Sequence, residues 1–174
     1  MYLVRLALAL GLLVLPVGCV TYGETRDIEP EYRPLKTLSE RPDMVLSDSA
    51  VTTVGEIVYV ADLDKWLNDH PVGTPRYHAT MIHEQEHSKR QKDAGTLKWV
   101  SRYLVDKDFM WAEEQRGWYL QLRALKAAGF TINVDGTANT LHNYKTLTGS
   151  SMVGREEAKQ WILSVLNGQW TPPP

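Results

Sequence analysis

The sequence predicts a helix-dominated α+β domain. Three stretches with apolar residues at helical spacing and one β-branched run carry that prediction, and a length of 174 residues suits one hydrophobic core but not two. The run Glu56-Ile57-Val58-Tyr59-Val60, bounded by Gly55 and Asp62, reads as a strand at the edge of a small sheet. Asp62 suits the N-cap of a short helix carrying Leu63, Trp66 and Leu67, which Pro71, Gly73 and Pro75 end. A helix follows over 76–93, with Tyr77, Met81 and Ile82 among its apolar positions and Gly95 near its stop. A second helical stretch holds Leu97, Trp99, Val100, Tyr103 and Leu104, and a third runs over 109–128 to Gly129. Residues 130–134 read as a short strand closed by an Asp135-Gly136 turn, 138–144 and 156–166 as helices, and 171–174 as a proline-rich tail. The Trp and Tyr residues are expected mainly in the core.

Residues 1–17 carry a single charged side chain, Arg5, and are unbroken apolar over 6–17, shorter than the roughly 18–20 residues of a spanning helix. This pattern is that of an export signal. Cys19 is the only cysteine, so no internal disulfide forms, and the segment Leu15-Pro16-Val17-Gly18-Cys19 resembles the lipobox of bacterial lipoproteins, with Pro16 in place of the usual Leu. The resemblance implies a signal peptide over 1–18, lipidation of Cys19 and, with Val20 next, an outer-membrane anchor facing the periplasm. Residues 19–50, broken by Pro30, Pro34 and Pro42, read as a tether with one short extended piece, and 51–170 as the folded domain. A formal net charge of −2 offers nothing to a polyanion, which argues against a nucleic-acid partner.

Chemistry concentrates in His83-Glu84-Gln85-Glu86-His87. On a helix each residue advances about 100°, so His83 and His87 project from one face on successive turns and both imidazoles reach one Zn²⁺ at about 2.0–2.1 Å. Glu84 lies roughly a quarter turn away, placed to act as a general base without occupying a ligand position. The competing reading is a polar, solvated helix face, given Gln85, Glu86, Ser88, Lys89 and Arg90. Against it, two of only five histidines fall at this spacing directly after Met81 and Ile82.

A catalytic zinc keeps three protein ligands and one open position. In metzincins the third lies six residues after the second His beyond a turn-forming Gly, but here those places hold Asp93 and Arg90, and Asp93 points elsewhere if the helix continues. The segment 76–128 resembles the gluzincins better, in which a Glu on a following helix completes the site. That helix offers Trp111-Ala112-Glu113-Glu114-Gln115-Arg116-Gly117-Trp118. Glu114 sits in an apolar stripe with Trp111, Trp118, Leu122 and Leu125, whereas Glu113 shares a neighbouring stripe with Met110 and Leu120. Glu114 is therefore the favoured third ligand and Glu113 the alternative, with Gly117 leaving room for close approach. His142 and Tyr144 are candidates for stabilising an oxyanion, and Asp106 or Asp108 for orienting an imidazole.

The resemblance thus implies a minimal zincin-like domain with an active-site helix, a second ligand-bearing helix and a small edge sheet. Its implied activity is zinc-dependent hydrolysis of a peptide or protein substrate in the cell envelope, with Glu84 shuttling the proton from water to the leaving amine. Two other readings stay open: an envelope lipoprotein in which zinc is only a structural staple of a partner-binding fold, and an assembly lipoprotein with no metal.

Overall fold

The computed structural model describes residues 35–37, 51–60 and 62–174, with only the backbone of 35–37, so the expected signal peptide, Cys19 and most of the tether lie outside the described residues. Three short strands, β1 (Leu35–Thr37), β2 (Val51–Val54) and β3 (Ile57–Val60), are followed by six helices among those residues. These are α1 (Leu63–Asp69), α2 (Pro75–Ala94), α3 (Thr96–Val105), α4 (Lys107–Ala127), α5 (Val134–Asn143) and α6 (Arg155–Leu166). The helix-dominated α+β expectation is met. None of the described helices is long and apolar enough to cross a membrane.

The sheet order is β1-β3-β2, with β3 antiparallel to β2 and parallel to β1. The run expected at a sheet edge is therefore the central strand, and the edge beside the helices is β2. Val51-Thr52-Thr53-Val54 is β-branched throughout but only four residues long, which left it unread beside the stronger run that follows. The short extended piece expected in the tether is β1.

Local chemistry sets the helix ends. The Asp62 side chain accepts from the Lys65 amide at 2.9 Å to start α1, and Thr74 accepts from Tyr77 at 3.3 Å to start α2, with Pro75 in the first turn. The expected strand over 130–134 does not form. Asn133 instead caps α5, its Oδ1 accepting from the Gly136 amide at 2.9 Å. The Asp135-Gly136 pair, a hairpin signal between two strands, thus lies inside the first helical turn, and among the described residues no second strand stands opposite to pair with 130–134. The tail is docked by Trp170 against Tyr119 and Trp161 and by an Arg116 Nη2 bond of 2.7 Å to the Pro173 carbonyl.

Two apolar clusters flank a polar seam. One gathers Val58, Val60, Leu63, Tyr77 and Met81 between the sheet, α1 and the first half of α2; the other gathers Met110, Leu122, Leu141, Trp161, Ile162 and their neighbours among α4, α5 and α6. Between them α2 lies along α4, and one end of that seam is closed by Arg90, whose Nη2 and Nε donate to the two carboxylate oxygens of buried Glu113 at 2.7 and 3.0 Å. Such a fork is strong where the acid is desolvated.

Arg90→Leu is expected to destabilise the fold by about 2 kcal/mol, less than the roughly 3–5 of a fully buried pair because water screens part of the guanidinium. Denaturant unfolding checks this. The double replacement Arg90→Leu with Glu113→Leu should recover most of the loss, since no charge is then left stranded.

Candidate metal centre

His83 and His87 stand one turn apart on α2 and face α4, where Glu114 rises from the opposing helix. All three are at least 94 % buried. The His83 Nε2 to His87 Nε2 distance is 2.9 Å, His87 Nε2 lies 3.2 Å from Glu114 Oε1, and His83 Nε2 lies 3.5 Å from Glu114 Oε2. Three donors on a tetrahedral ion at about 2.0–2.1 Å are spaced about 3.4 Å apart. The donor set fits zinc in both spacing and chemistry: two nitrogens and a carboxylate oxygen that together could hold one ion. Glu114 Oε2 is buried and, among the described residues, is met only by the long 3.5 Å approach of His83 Nε2, a shortfall that a cation would make good.

Each donor is held from outside. Gln121 Oε1 accepts from His83 Nδ1 at 2.7 Å, which leaves Nε2 as the lone-pair nitrogen facing the centre. The Tyr103 hydroxyl donates to Glu114 Oε1 at 2.5 Å. Trp118 meets the His83 ring edge-on at 5.5 Å, while Trp99, stacked on Tyr103 at 4.8 Å, walls His87 at 5.6 Å. Trp111 and Trp161 sit in the core as expected, but Trp99, Tyr103 and Trp118 line the imidazoles. Gly117 is the reason the helices can approach so closely: a Cβ there would lie 2.3 Å from His83 Cδ2 and 2.5 Å from its Nε2.

Charge balance follows from burial. For Glu114, desolvation works to raise the pKa, but the positive charge on His87 and bonds from both imidazoles outweigh it and hold the carboxylate well below its usual range. For His83, desolvation works to lower the pKa, but the Glu114 bond and the charges of Glu84 and Glu114 raise it to about 9. These describe one interaction from its two sides. Tyr103 and Tyr144 are both pushed well above the ordinary phenol value, by burial first and then by the charge of Glu114 and, further down, Glu84.

Glu84 is buried beside the cluster without belonging to it, and Thr53 Oγ1 on β2 donates to its Oε2 at 2.7 Å. The other proposed site residues divide. Glu113 is taken by Arg90. Asp93 is exposed near the end of α2. The Tyr144 hydroxyl lies in the field of Glu114 and Glu84, whereas His142 turns to the Val153 carbonyl at 3.0 Å and engages a loop of the core. Neither Asp106 nor Asp108 orients an imidazole, because Asp106 caps α4 through the Asp108 and Phe109 amides and pairs with Arg102, and Asp108 sits exposed in the first turn of α4. Gln121 does that work instead; it lies seven residues from Glu114, on the same helical stripe, which is the signal that could have found it.

No family model matches the chain, and neither the curated proteins nor the solved structures contain a match to it.

Two measurements check the geometry. Gly117→Ala should push the His83 ring out of place and weaken zinc binding on the order of a hundredfold, and Gln121→Leu by roughly ten- to hundredfold, in competition with a chromophoric chelator. In metal-free protein His83 has a raised folded-state pKa, so its contribution to stability is full below its unfolded value near 6.5 and is lost as pH rises through about 9. Melting temperature should therefore fall between pH 7 and 9.5 without zinc, and the fall should flatten with zinc, which binds the neutral imidazole.

Proposed function

We propose that the chain is a zinc-dependent peptidase of the zincin type, with Zn²⁺ held by His83, His87 and Glu114 and with Glu84 as general base. The observation that carries this reading is the convergence of those three buried donors with a fourth buried group, Glu84, beside them but outside the donor set. Zinc at such a site supplies Lewis acidity, acidifying water and polarising a carbonyl. Glu84 accepts the proton of the attacking water and returns it to the leaving amine, and it can do both because its carboxylate is held in place rather than spent on the metal. Tyr144, a hydroxyl still protonated at neutral pH, is the available donor for a developing oxyanion. The aromatic walls from Trp99, Tyr103 and Trp118 keep bulk water from the imidazoles and strengthen each charge interaction.

A structural zinc is disfavoured by the donor count. The cluster among the described residues has three members, which suits an open coordination position, whereas structural sites are closed by four. The sequence of residues 1–19 supports an exported, lipid-anchored location, so peptides of the cell envelope are the proposed substrates.

Glu84→Gln should retain stoichiometric zinc by elemental analysis and lose peptide hydrolysis by at least about a hundredfold, measured on a pool of quenched fluorescent peptides. Hydrolysis at the parent rate in that variant would sink the mechanism. His83→Ala or His87→Ala should lose both zinc and activity.

A further inference from the structure

The mechanism needs Glu84 aimed, and α2 does not aim it alone. We propose that Thr53 is the positioning residue of the general base: its hydroxyl, presented by β2, fixes the Glu84 carboxylate. This rests on the zinc-peptidase reading and adds to it the part of the fold that sets the base.

Three observations carry it. The Thr53 hydroxyl donates to Glu84 Oε2 at 2.7 Å, and both side chains are buried, at 6 % and 5 % exposure, so the bond acts where water cannot compete. Thr is β-branched and stiff at χ1, so the direction of its hydroxyl follows the strand backbone. That backbone is itself tied to the same helix: Gln91, wholly buried and two turns after Glu84 on α2, donates through Nε2 to the Thr53 carbonyl at 2.8 Å and accepts through Oε1 from the Gly55 amide at 2.8 Å. One side-chain amide thereby grips a carbonyl and an amide two residues apart on the hairpin, as a neighbouring strand would. Gly55, at φ 62°, makes the turn that places its amide there. The base and the hydroxyl that steers it are thus both referenced to α2, which also carries His83 and His87.

A purely structural Thr53 would hold the hairpin and affect stability only. A positioning Thr53 also controls how well Glu84 receives a proton from a ligand in the site. Acetohydroxamate separates the two, because it binds zinc as a small chelator and places a proton against a neighbouring base, giving a readout that needs no substrate. The experiment uses the full chain as zinc-loaded parent, Thr53→Val, Thr53→Ser and Glu84→Gln, with zinc affinity measured by chelator competition and acetohydroxamate affinity by calorimetry.

Thr53→Val should keep zinc affinity within about threefold of the parent and weaken acetohydroxamate roughly ten- to hundredfold, as the loss of a hydrogen bond to a buried carboxylate implies. Thr53→Ser, which restores the hydroxyl, should bring acetohydroxamate back within about threefold of the parent, and Thr53→Val on the Glu84→Gln background should change it by less than about twofold. Thr53→Ala replaces Thr53→Val if the latter does not fold. The proposal is overturned if removing the hydroxyl leaves acetohydroxamate affinity within about twofold of the parent, or if the parent binds it no better than Glu84→Gln does. A parent that takes up no zinc fails at the first titration and overturns the metal reading itself, before acetohydroxamate is added.

Discussion

A carboxylate buried on an apolar helix face needs a cation, and the α2–α4 seam is built around meeting that need for Glu114. The acid rises from α4 at 3 % exposure, on a stripe with Trp111, Trp118 and Leu122, and among the described residues its basic partners are the two imidazoles of α2. Without them, among the described residues, the Tyr103 hydroxyl would be left to meet the desolvation cost, with no opposing charge. With them, the two helices must approach until nitrogen and oxygen nearly touch, and that closeness is possible because α4 has no side chain at Gly117. That contact sets the helix spacing at the middle of the seam, while Gln121 orients His83 and the Arg90–Glu113 pair registers one end.

The neighbouring Glu113 shows how finely the seam discriminates. One residue along α4 turns its carboxylate by about 100°, away from the imidazoles and onto the guanidinium of Arg90. Each of two consecutive buried acids thus has its own basic partner, Arg90 for Glu113 and the two imidazoles for Glu114. A permanent cation closes one end of the seam, and the imidazole pair occupies its middle.

Much of this was legible in the sequence because it is periodic. The spacing of His83 and His87 on a helix announces their shared face and sets Glu84 on its flank, and the stripe of Trp111, Glu114, Trp118 and Leu122 marks an acid inside an apolar surface. The cap at Asp62, the proline at 75 and the stops at Gly95 and Gly129 bound the helices closely, whereas the Thr74 cap went unread. Contacts between distant segments were harder to read. Thr53 reaches Glu84 across thirty-one positions, and Gln121 reaches His83 across thirty-eight; neither residue type names such a partner, since Thr and Gln occur freely on surfaces, and only the place of Gln121 on the Glu114 stripe hinted at it. The strand misread over 130–134 failed for a related reason: a short apolar run is a strand only if another strand is there to pair with it, and no local pattern reports that.

The small sheet takes on a purpose in this light that its size alone would not suggest. Four-residue strands add little stability by themselves, and most of the apolar burial lies among the helices. What β2 supplies is the Thr53 hydroxyl, a donor to Glu84. A helix that carries two imidazoles toward α4 turns the residue after the first of them sideways, toward whatever lies along its flank. On that flank a helix would offer side chains on long, mobile stems, whereas a strand clamped through its backbone offers a short β-branched hydroxyl whose direction is already set. The Gln91 amide makes the clamp from the same helix, so a shift of the hairpin relative to α2 would break two buried hydrogen bonds before it could move the hydroxyl away from Glu84. The strand is therefore tied to α2 through three hydrogen bonds that link the segment 53–55 with Glu84 and Gln91.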